Sequence, residues 1–423
     1  MPPIRQKISK VTSHLAYTPI LGFAAFLTFV RIGLYARLLD VSDFGLLSKL
    51  LLISSLFFAT GSFGFRILAQ RDLPKILVGG RYRKSLILLW QAAIVTTITI
   101  LIAWSASLFG LSILGISSMT LLWALIHGWA QQIFMLAVID TRSRLQMTRY
   151  SWQIFSKTIL SSAVALIIAY MGGGAVGIII GELIITLLLT AQLFRQMLQQ
   201  AGMTIMLVSM LSFKMFRMRS FWVAMSLFAG TTLVFLSTNI DRWLAANYLS
   251  ENDFGLYSFA WISITIALSI QALLNASIFP LLSRKHIEGS HGGGALRITL
   301  IMSTGLLLLS LIAALIADKT ADWLIPIWYP QYVDALPLLL PLLLAAALRI
   351  SDFWSSYLVV VHRQNTLLKI QIILISLPCL FYLLGGAEHS WPQTSYDFAL
   401  LALFLSVGNF IANAFACLQR KNK

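Results

Sequence analysis

The sequence is poor in charge, in cysteine and in every signature that soluble enzymes carry. Asp, Glu, Lys and Arg make up only 11% of its 423 residues, against about 25% in a soluble domain. Little of the chain is left to form a water-facing domain. Its two cysteines, Cys379 and Cys417, both sit inside apolar runs and outside any Cys-x-x-Cys. A disulfide framework and a thiolate zinc site are thereby excluded. There is no Gly-Lys-Ser/Thr, hence no Walker A loop and no ATP hydrolysis by this chain. His291-Gly292-Gly293-Gly294 has the look of an esterase oxyanion loop, but without a Gly-x-Ser-x-Gly elbow it reads as a plain loop. His286, Glu288 and His291 share that short segment and read as solvated side chains rather than metal ligands. Asn275-Ala276-Ser277 is a formal glycosylation sequon inside a predicted helix, where it has no meaning. No catalytic residue and no metal site is expected.

What is present is apolar: 58% of the residues are hydrophobic. About 20 apolar residues cross a bilayer, and runs of that length recur at 15–37, 44–66, 86–109, 119–139, 152–171, 175–194, 221–244, 254–280, 298–317, 336–361, 370–386 and 398–418. The chain is therefore read as an all-α polytopic membrane protein with twelve transmembrane helices. Its N-terminus is basic (Arg5, Lys7, Lys10), and the first run is too long for a signal-peptide core. That run is expected to remain as a membrane helix.

The net charge of +16 follows the membrane and not nucleic acid. The basic residues lie in short loops between apolar runs instead of interleaving with aromatics on an exposed surface. With the N-terminus in the cytoplasm, the even-numbered loops carry Arg71, Lys75, Arg81, Arg83, Lys84, Arg142, Arg144, Arg149, Arg195, Lys214, Arg217, Arg219, Arg284, Lys285, Arg297, Arg363 and Lys369, and the tail adds Arg420, Lys421 and Lys423. The odd-numbered loops carry mainly acids: Asp40, Asp43, Glu251, Asp253, Asp318, Asp322, Asp334, Glu388 and Asp397, with Lys319 as the basic exception. Both termini are thus expected in the cytoplasm.

The spans repeat. Asp43-Phe44-Gly45-Leu46 returns as Asp253-Phe254-Gly255-Leu256, an offset of 210 residues, about half the chain. Leu34, Ala36 and Leu39 fall on Leu244, Ala246 and Leu249, and Arg31 falls on Asp241. The layout is six spans plus six, an internal duplication. An N-terminal lobe over 1–194, a cytoplasmic linker over 195–220 and a C-terminal lobe over 221–423 follow. The linker is Met-rich and basic, which suits an amphipathic interfacial helix or a plain connector. Asp-Phe-Gly also occurs in kinases, but here it stands twice at a membrane exit and reads as a helix start, the acid capping and the glycine permitting a turn. Gly172–Gly174 reads as a tight hairpin between spans five and six, and the aromatic, proline-broken 323–330 stretch as an external interfacial segment.

The chemistry rests with the ionisable residues inside spans, which are costly there and face a protein interior or a water-filled cavity. These are Arg31, Lys49, Lys157, Glu182, Asp241, Arg242, Arg349 and Asp352. Lys49 and Lys157 are close enough to an edge to snorkel. Arg31 shares a helical face with Thr28 and Tyr35, and Arg349 and Asp352, three apart, are placed to pair. Arg31, Lys49, Arg242 and Arg349 are the candidate substrate contacts. Together they would line one cationic central cavity suited to a phosphate or diphosphate. Glu182, Asp241 and Asp352 are candidates for ion coupling with H+ or Na+, or for fixed partners of the arginines. No other cofactor is expected. A carrier of organic cations would instead present carboxylates and aromatics.

Ala36-Arg37-Leu38-Leu39-Asp40-Val41-Ser42-Asp43-Phe44-Gly45-Leu46, together with Tyr332-Val333-Asp334-Ala335-Leu336-Pro337 and His362-Arg363-Gln364-Asn365, resembles the bacterial polysaccharide (O-antigen type) flippases. These belong to the multidrug/oligosaccharidyl-lipid/polysaccharide exporter (MOP) superfamily. The resemblance implies a V-shaped pair of six-helix lobes working by alternating access in the bacterial plasma (inner) membrane. It also implies an undecaprenyl-diphosphate-linked oligosaccharide as substrate, and a polysaccharide polymerase and chain-length regulator as partners in lipopolysaccharide biosynthesis. The rival readings are a multidrug or metabolite antiporter of the same superfamily and a membrane-embedded glycan polymerase or ligase. Short external loops count against the second.

Overall fold

In a computed structural model, residues 17–109, 113–216, 218–288, 293–389 and 393–419 are described. Arg5, Lys7, Lys10, Arg217, His291, Gly292, Arg420, Lys421 and Lys423 lie outside them, as do the side chains of Arg219 and Glu388 and those of Ala276 and Ser277 in the sequon. The described residues form fifteen α-helices and one 3-10 segment, with no strand among them. In chain order these are α1 (Tyr17–Leu38), α2 (Val41–Thr60), α3 (Phe65–Val78), α4 (Tyr82–Leu108), α5 (Ser118–Ser143), α6 (Met147–Tyr170), α7 (Gly174–Ala201) and α8 (Ile205–Lys214). There follow α9 (Met218–Tyr248), α10 (Glu251–Glu288), α11 (Gly293–Trp328), the 3-10 segment Pro330–Ala335, α12 (Leu336–Ile350), α13 (Trp354–Val360), α14 (Gln364–His389) and α15 (Ser395–Leu418). Eleven segments are long and apolar enough to cross a membrane, and α14 contributes a shorter apolar helix, Gln364–Leu380. The twelve expected spans are thus all present as helices, the tenth divided into α12 and α13.

The ends follow local chemistry. Ser117 caps α5 by accepting from the Thr120 N–H at 3.3 Å, and Thr394 with Asp397 forms a capping box on α15. A three-residue link, with Gly172 at φ 79°, joins α6 to α7 as the hairpin expected there. α11 extends past the apolar edge read from sequence and continues to Trp328, with Pro326 inside its last turns. Trp323 and Trp328 on this extension are exposed.

The chain divides into two compact units. One takes the described residues up to Leu39 and Leu46–Thr232; the other takes Asp40–Gly45 and the described residues from Leu233 onward. In the first unit, the segment expected as a linker is largely helix. α7 runs on to Ala201, and α8 packs on α4. Trp90 Nε1 donates to Ser209 Oγ at 3.0 Å and Gln91 Nε2 to the Ser212 carbonyl at 2.9 Å. Ile205, Met206, Met210 and Phe213 on α8 are exposed.

In the second unit the two copies of the Asp-Phe-Gly motif meet, and their glycines correct the turn reading. Gly45 and Gly255 both lie inside helices. A Cβ on Gly45 would overlap the Glu251 carbonyl oxygen, and one on Gly255 the Val41 carbonyl oxygen. Each glycine permits a close helix approach and makes no turn. The caps are three residues upstream of the motif aspartates: Asp40 Oδ1 accepts from the Asp43 N–H at 2.7 Å and Ser250 Oγ from the Asp253 N–H at 3.1 Å. The motif aspartates occupy the third helical position, where a carboxylate favours the helix dipole.

Candidate functional site

Arg31, His127, Lys157 and Glu182, drawn from four helices, meet inside the first unit. Arg31 and Tyr35 stand one turn apart on α1, His127 and Gln131 one turn apart on α5, Lys157 on α6 and Glu182 on α7. Arg31 Nη1 lies 2.8 Å from Glu182 Oε1, and the Glu182 side chain is only 2% exposed. Tyr35 donates its hydroxyl to the same oxygen at 3.0 Å. The His127 Nε2 lies 3.3 Å from Oε2, and its Nδ1 is 2.7 Å from Ser54 Oγ on α2. Gly128 makes that contact feasible, since a Cβ there would sit 2.7 Å from the Ser54 carbonyl oxygen. Lys157 Nζ donates to Gln131 Oε1 at 2.5 Å, and the Gln131 amide lies 3.1 Å from His127 Nε2. One carboxylate therefore bonds an arginine and a histidine directly, and a lysine is linked to that histidine through Gln131. Lys49, on α2 of the same unit, is 7% exposed.

The second unit holds a counterpart of inverted sign. Asp241 on α9 is fully buried. Its Oδ2 accepts from Tyr257 OH at 2.8 Å and Trp261 Nε1 at 2.9 Å, both on α10. Arg349 on α12 places Nη2 3.6 Å from Asp241 Oδ1. Its remaining donors go to the Thr238 carbonyl at 2.8 Å and Ser406 Oγ at 2.9 Å. Arg242 lies with its guanidinium 4.7 Å from the Trp261 ring centroid, a cation–π contact.

Arg349 and Asp352 are not the pair that their spacing of three suggests. α12 ends at Ile350, and Ser351–Phe353 break the helix before α13 starts. The two residues do not share one helical face, and each has its own partners. Asp352 Oδ2 accepts from Asn409 Nδ2 at 3.0 Å and Asn413 Nδ2 at 3.1 Å. Its Oδ1 accepts from the Ser355 N–H at 3.3 Å. Asp352 and these amides border a cavity of about 190 Å³ also lined by Arg349, Gln271 and Gln371. Two buried amide oxygens there, Asn413 Oδ1 and Gln371 Oε1, have no hydrogen-bond partner. A carboxylate with amide oxygens is a donor set for a hard cation, and the carboxylate alone can take a proton. No group of three or more His, Cys, Asp or Glu able to hold a metal ion occurs among the described residues.

Sequence reasoning singled out the charges and missed their neutral partners. His127 with Gln131, and Asn409 with Asn413, are polar pairs four apart inside apolar spans. That spacing puts each pair on one helical face and is the signal that could have found them.

Comparison with known proteins gives the class. A family model described as polysaccharide biosynthesis protein matches residues 34–334. The chain belongs to this family. The fold is that of MATE transporters of the MOP superfamily. An inward-facing multidrug resistance MATE family transporter superposes with a TM-score of 0.68 at 11% identity, covering 93% of this chain and 94% of the other. A mutant of the Vibrio cholerae MATE transporter VcmN gives 0.61 at 13%, with 98% of each chain covered. An outward-facing MATE transporter gives 0.58 at 14%, covering 95% and 92%. No curated protein sequence matches. This polysaccharide biosynthesis family member is accordingly a multi-pass membrane protein with a transporter fold, as the sequence led us to expect.

Proposed function

We propose that this family member is a flippase. It would move an undecaprenyl-diphosphate-linked oligosaccharide, an O-antigen or related repeat unit, from the inner to the outer leaflet of the bacterial plasma membrane by alternating access, with both termini in the cytoplasm. The observation that carries the reading is a transporter fold in a polysaccharide biosynthesis family. The buried charges support it. Arg31, with Lys157 and His127, surrounds one acid in the first unit; in the second, Arg349 reaches Asp241 and Arg242 stacks on Trp261, which donates to the same carboxylate. A positive surplus attracts a diphosphate, which arginine can bind through two parallel hydrogen bonds. Arg31, Arg242, Arg349 and Lys49 are the residues assigned to it.

Coupling to H+ or Na+ is assigned first to Asp352, because its cavity presents unpartnered amide oxygens, while Glu182 and Asp241 are engaged by cations. Replacing each of the four basic residues by Ala and reading surface polysaccharide by gel tests the substrate assignment. Loss of export per molecule of protein in the membrane is expected; normal export per molecule from all four overturns it. Drug resistance on expression with unchanged glycans would instead favour a multidrug antiporter. For the coupling residue, D352N is expected to abolish the dependence of export on the ion gradient, and an unchanged dependence removes Asp352 from that role.

A further inference from the structure

The first unit also contains an open groove of about 1060 Å³ that none of the charge-cluster residues lines. It is bounded by α4, α5, α7 and α8. The lining is aromatic and aliphatic, with Trp90, Trp129 and Phe194 prominent. Both indole N–H groups are already used, Trp90 on Ser209 and Trp129 on Thr97. The walls therefore offer hydrocarbon and no spare indole donor. Such a lining suits acyl chains better than water, which would find few polar partners along it.

Its length is that of one leaflet. The α7 wall runs from Leu187 to Leu198, ~16 Å at 1.5 Å per residue, about half of the ~30 Å hydrocarbon core. The hydroxyls of Thr97, Thr190 and Ser209 along its walls are engaged in hydrogen bonds, while its charged group, Arg195, lies toward one end with Gln199 and Thr204. That is the end of the helices that bears the basic loops. Arg83 donates to the Ala201 carbonyl, Arg144 to Gln200 and Arg149 to Gln196. Arg195 is exposed and forms no ion pair among the described residues. The lip of the cavity is α8, whose Ile205, Met206 and Met210 are exposed, as in a helix lying at the boundary of headgroups and acyl chains.

We propose that this cavity holds an anionic phospholipid, its acyl chains along α4 and α7 and its phosphate at Arg195. A two-chain lipid matches both the leaflet-length depth and the single charged end. A polyprenyl tail, far longer than one leaflet, does not. The inference is independent of the transport reading, since a resident lipid would be held whatever the substrate.

The full chain, purified and delipidated in detergent, is titrated with phosphatidylglycerol or phosphatidylcholine of equal chain length, and bound lipid is read by native mass spectrometry. One phosphatidylglycerol per chain is expected, retained in preference to phosphatidylcholine by roughly fivefold, the effect of one basic residue beside an anionic headgroup. R195Q should bring the two lipids to parity. A191W, which fills the cavity, should abolish retention of both, and Ala93→Phe serves the same purpose if that variant does not fold. L188W, on the exposed side of α7, is the control and should bind as wild type does. Equal retention by A191W, or no preference in the wild type, overturns the proposal. So does displacement of phosphatidylglycerol by equimolar polyprenyl phosphate.

Discussion

Arg31 and Glu182 should behave as one unit. The guanidinium and carboxylate are 2.8 Å apart and nearly dry. At an effective dielectric constant of ~20 their attraction is ~6 kcal/mol. Glu182 keeps Tyr35 and His127 when Arg31 is removed, so the loss is smaller than that figure. R31M should cost about 3–5 kcal/mol, the usual penalty for leaving a buried charge without its partner. E182Q retains side chains able to bond Tyr35 and His127 but leaves Arg31 without an anion, and a similar cost is expected. The double variant R31M/E182Q removes both charges and should fall within ~1 kcal/mol of wild type, because replacing a buried pair by neutral groups is often free of cost. The assay is thermal and denaturant unfolding of the detergent-solubilised protein, run as a double-mutant cycle. Single costs that simply add, with a coupling energy below ~0.5 kcal/mol, would refute the pairing. The same variants then separate structure from transport. If the double variant folds and still exports polysaccharide, Arg31 serves only Glu182. If it folds and export is lost, Arg31 also touches the substrate.

Three further outcomes follow from single contacts. G45A and G255A should each lose about 1–3 kcal/mol, the range for overpacking, since their Cβ atoms would overlap Glu251 and Val41 carbonyl oxygens. G22A and G305A, in helices with open space around the new Cβ, should gain a few tenths to about 1 kcal/mol; melting temperatures in the reverse order would refute the close-approach reading. Y257F removes a 2.8 Å hydrogen bond to buried Asp241 and should cost about 1.5–3 kcal/mol, which denaturant titration would show. T394A breaks the capping box of α15 at about 1 kcal/mol, and unchanged hydrogen exchange in that first turn would count against it.

The helices were legible because a membrane span must be long and apolar, and little else in a sequence looks like that. The buried charges were legible for the converse reason: Glu182 or Asp241 stands out in an apolar run. Their partners were not. Glu182 lies 151 residues from Arg31 and 55 from His127, and depth along a span does not say which neighbouring helix faces it. His127, Gln131, Asn409 and Asn413 are formally neutral and do not stand out in an apolar run as a charge does. Arg349 and Asp352 misled because no proline or glycine marks the break at Ser351–Phe353. Gly45 was read as a turn residue because local sequence cannot show that the Glu251 carbonyl comes to rest against it.

The aligned position of the two halves carries Arg31 in one and Asp241 in the other. Each charge lies at the same place in its repeat and must be compensated at that depth, yet the sign differs and so does the donor. In the first unit the partner comes from α7, in the second from α12. A tyrosine closes both, Tyr35 from the same helix and Tyr257 from the next. What the halves share is therefore a buried, compensated charge, while the surplus around it is positive both times. Arg31 and Lys157 stand near one carboxylate; Arg349 reaches the other, with Arg242 on the Trp261 ring beside it. Asp352 is held by neutral amides beside unpartnered oxygens, in a cavity that Arg349 also lines. On the flippase reading an anionic headgroup is drawn to the arginines and a coupling cation to the Asp352 carboxylate, with Arg349 bordering the Asp352 cavity as well. Substrate and ion then need not compete for one carboxylate, as they would in a carrier whose substrate is itself a cation. R242A should thus weaken export without changing its ion dependence, whereas D352N should change the ion dependence first.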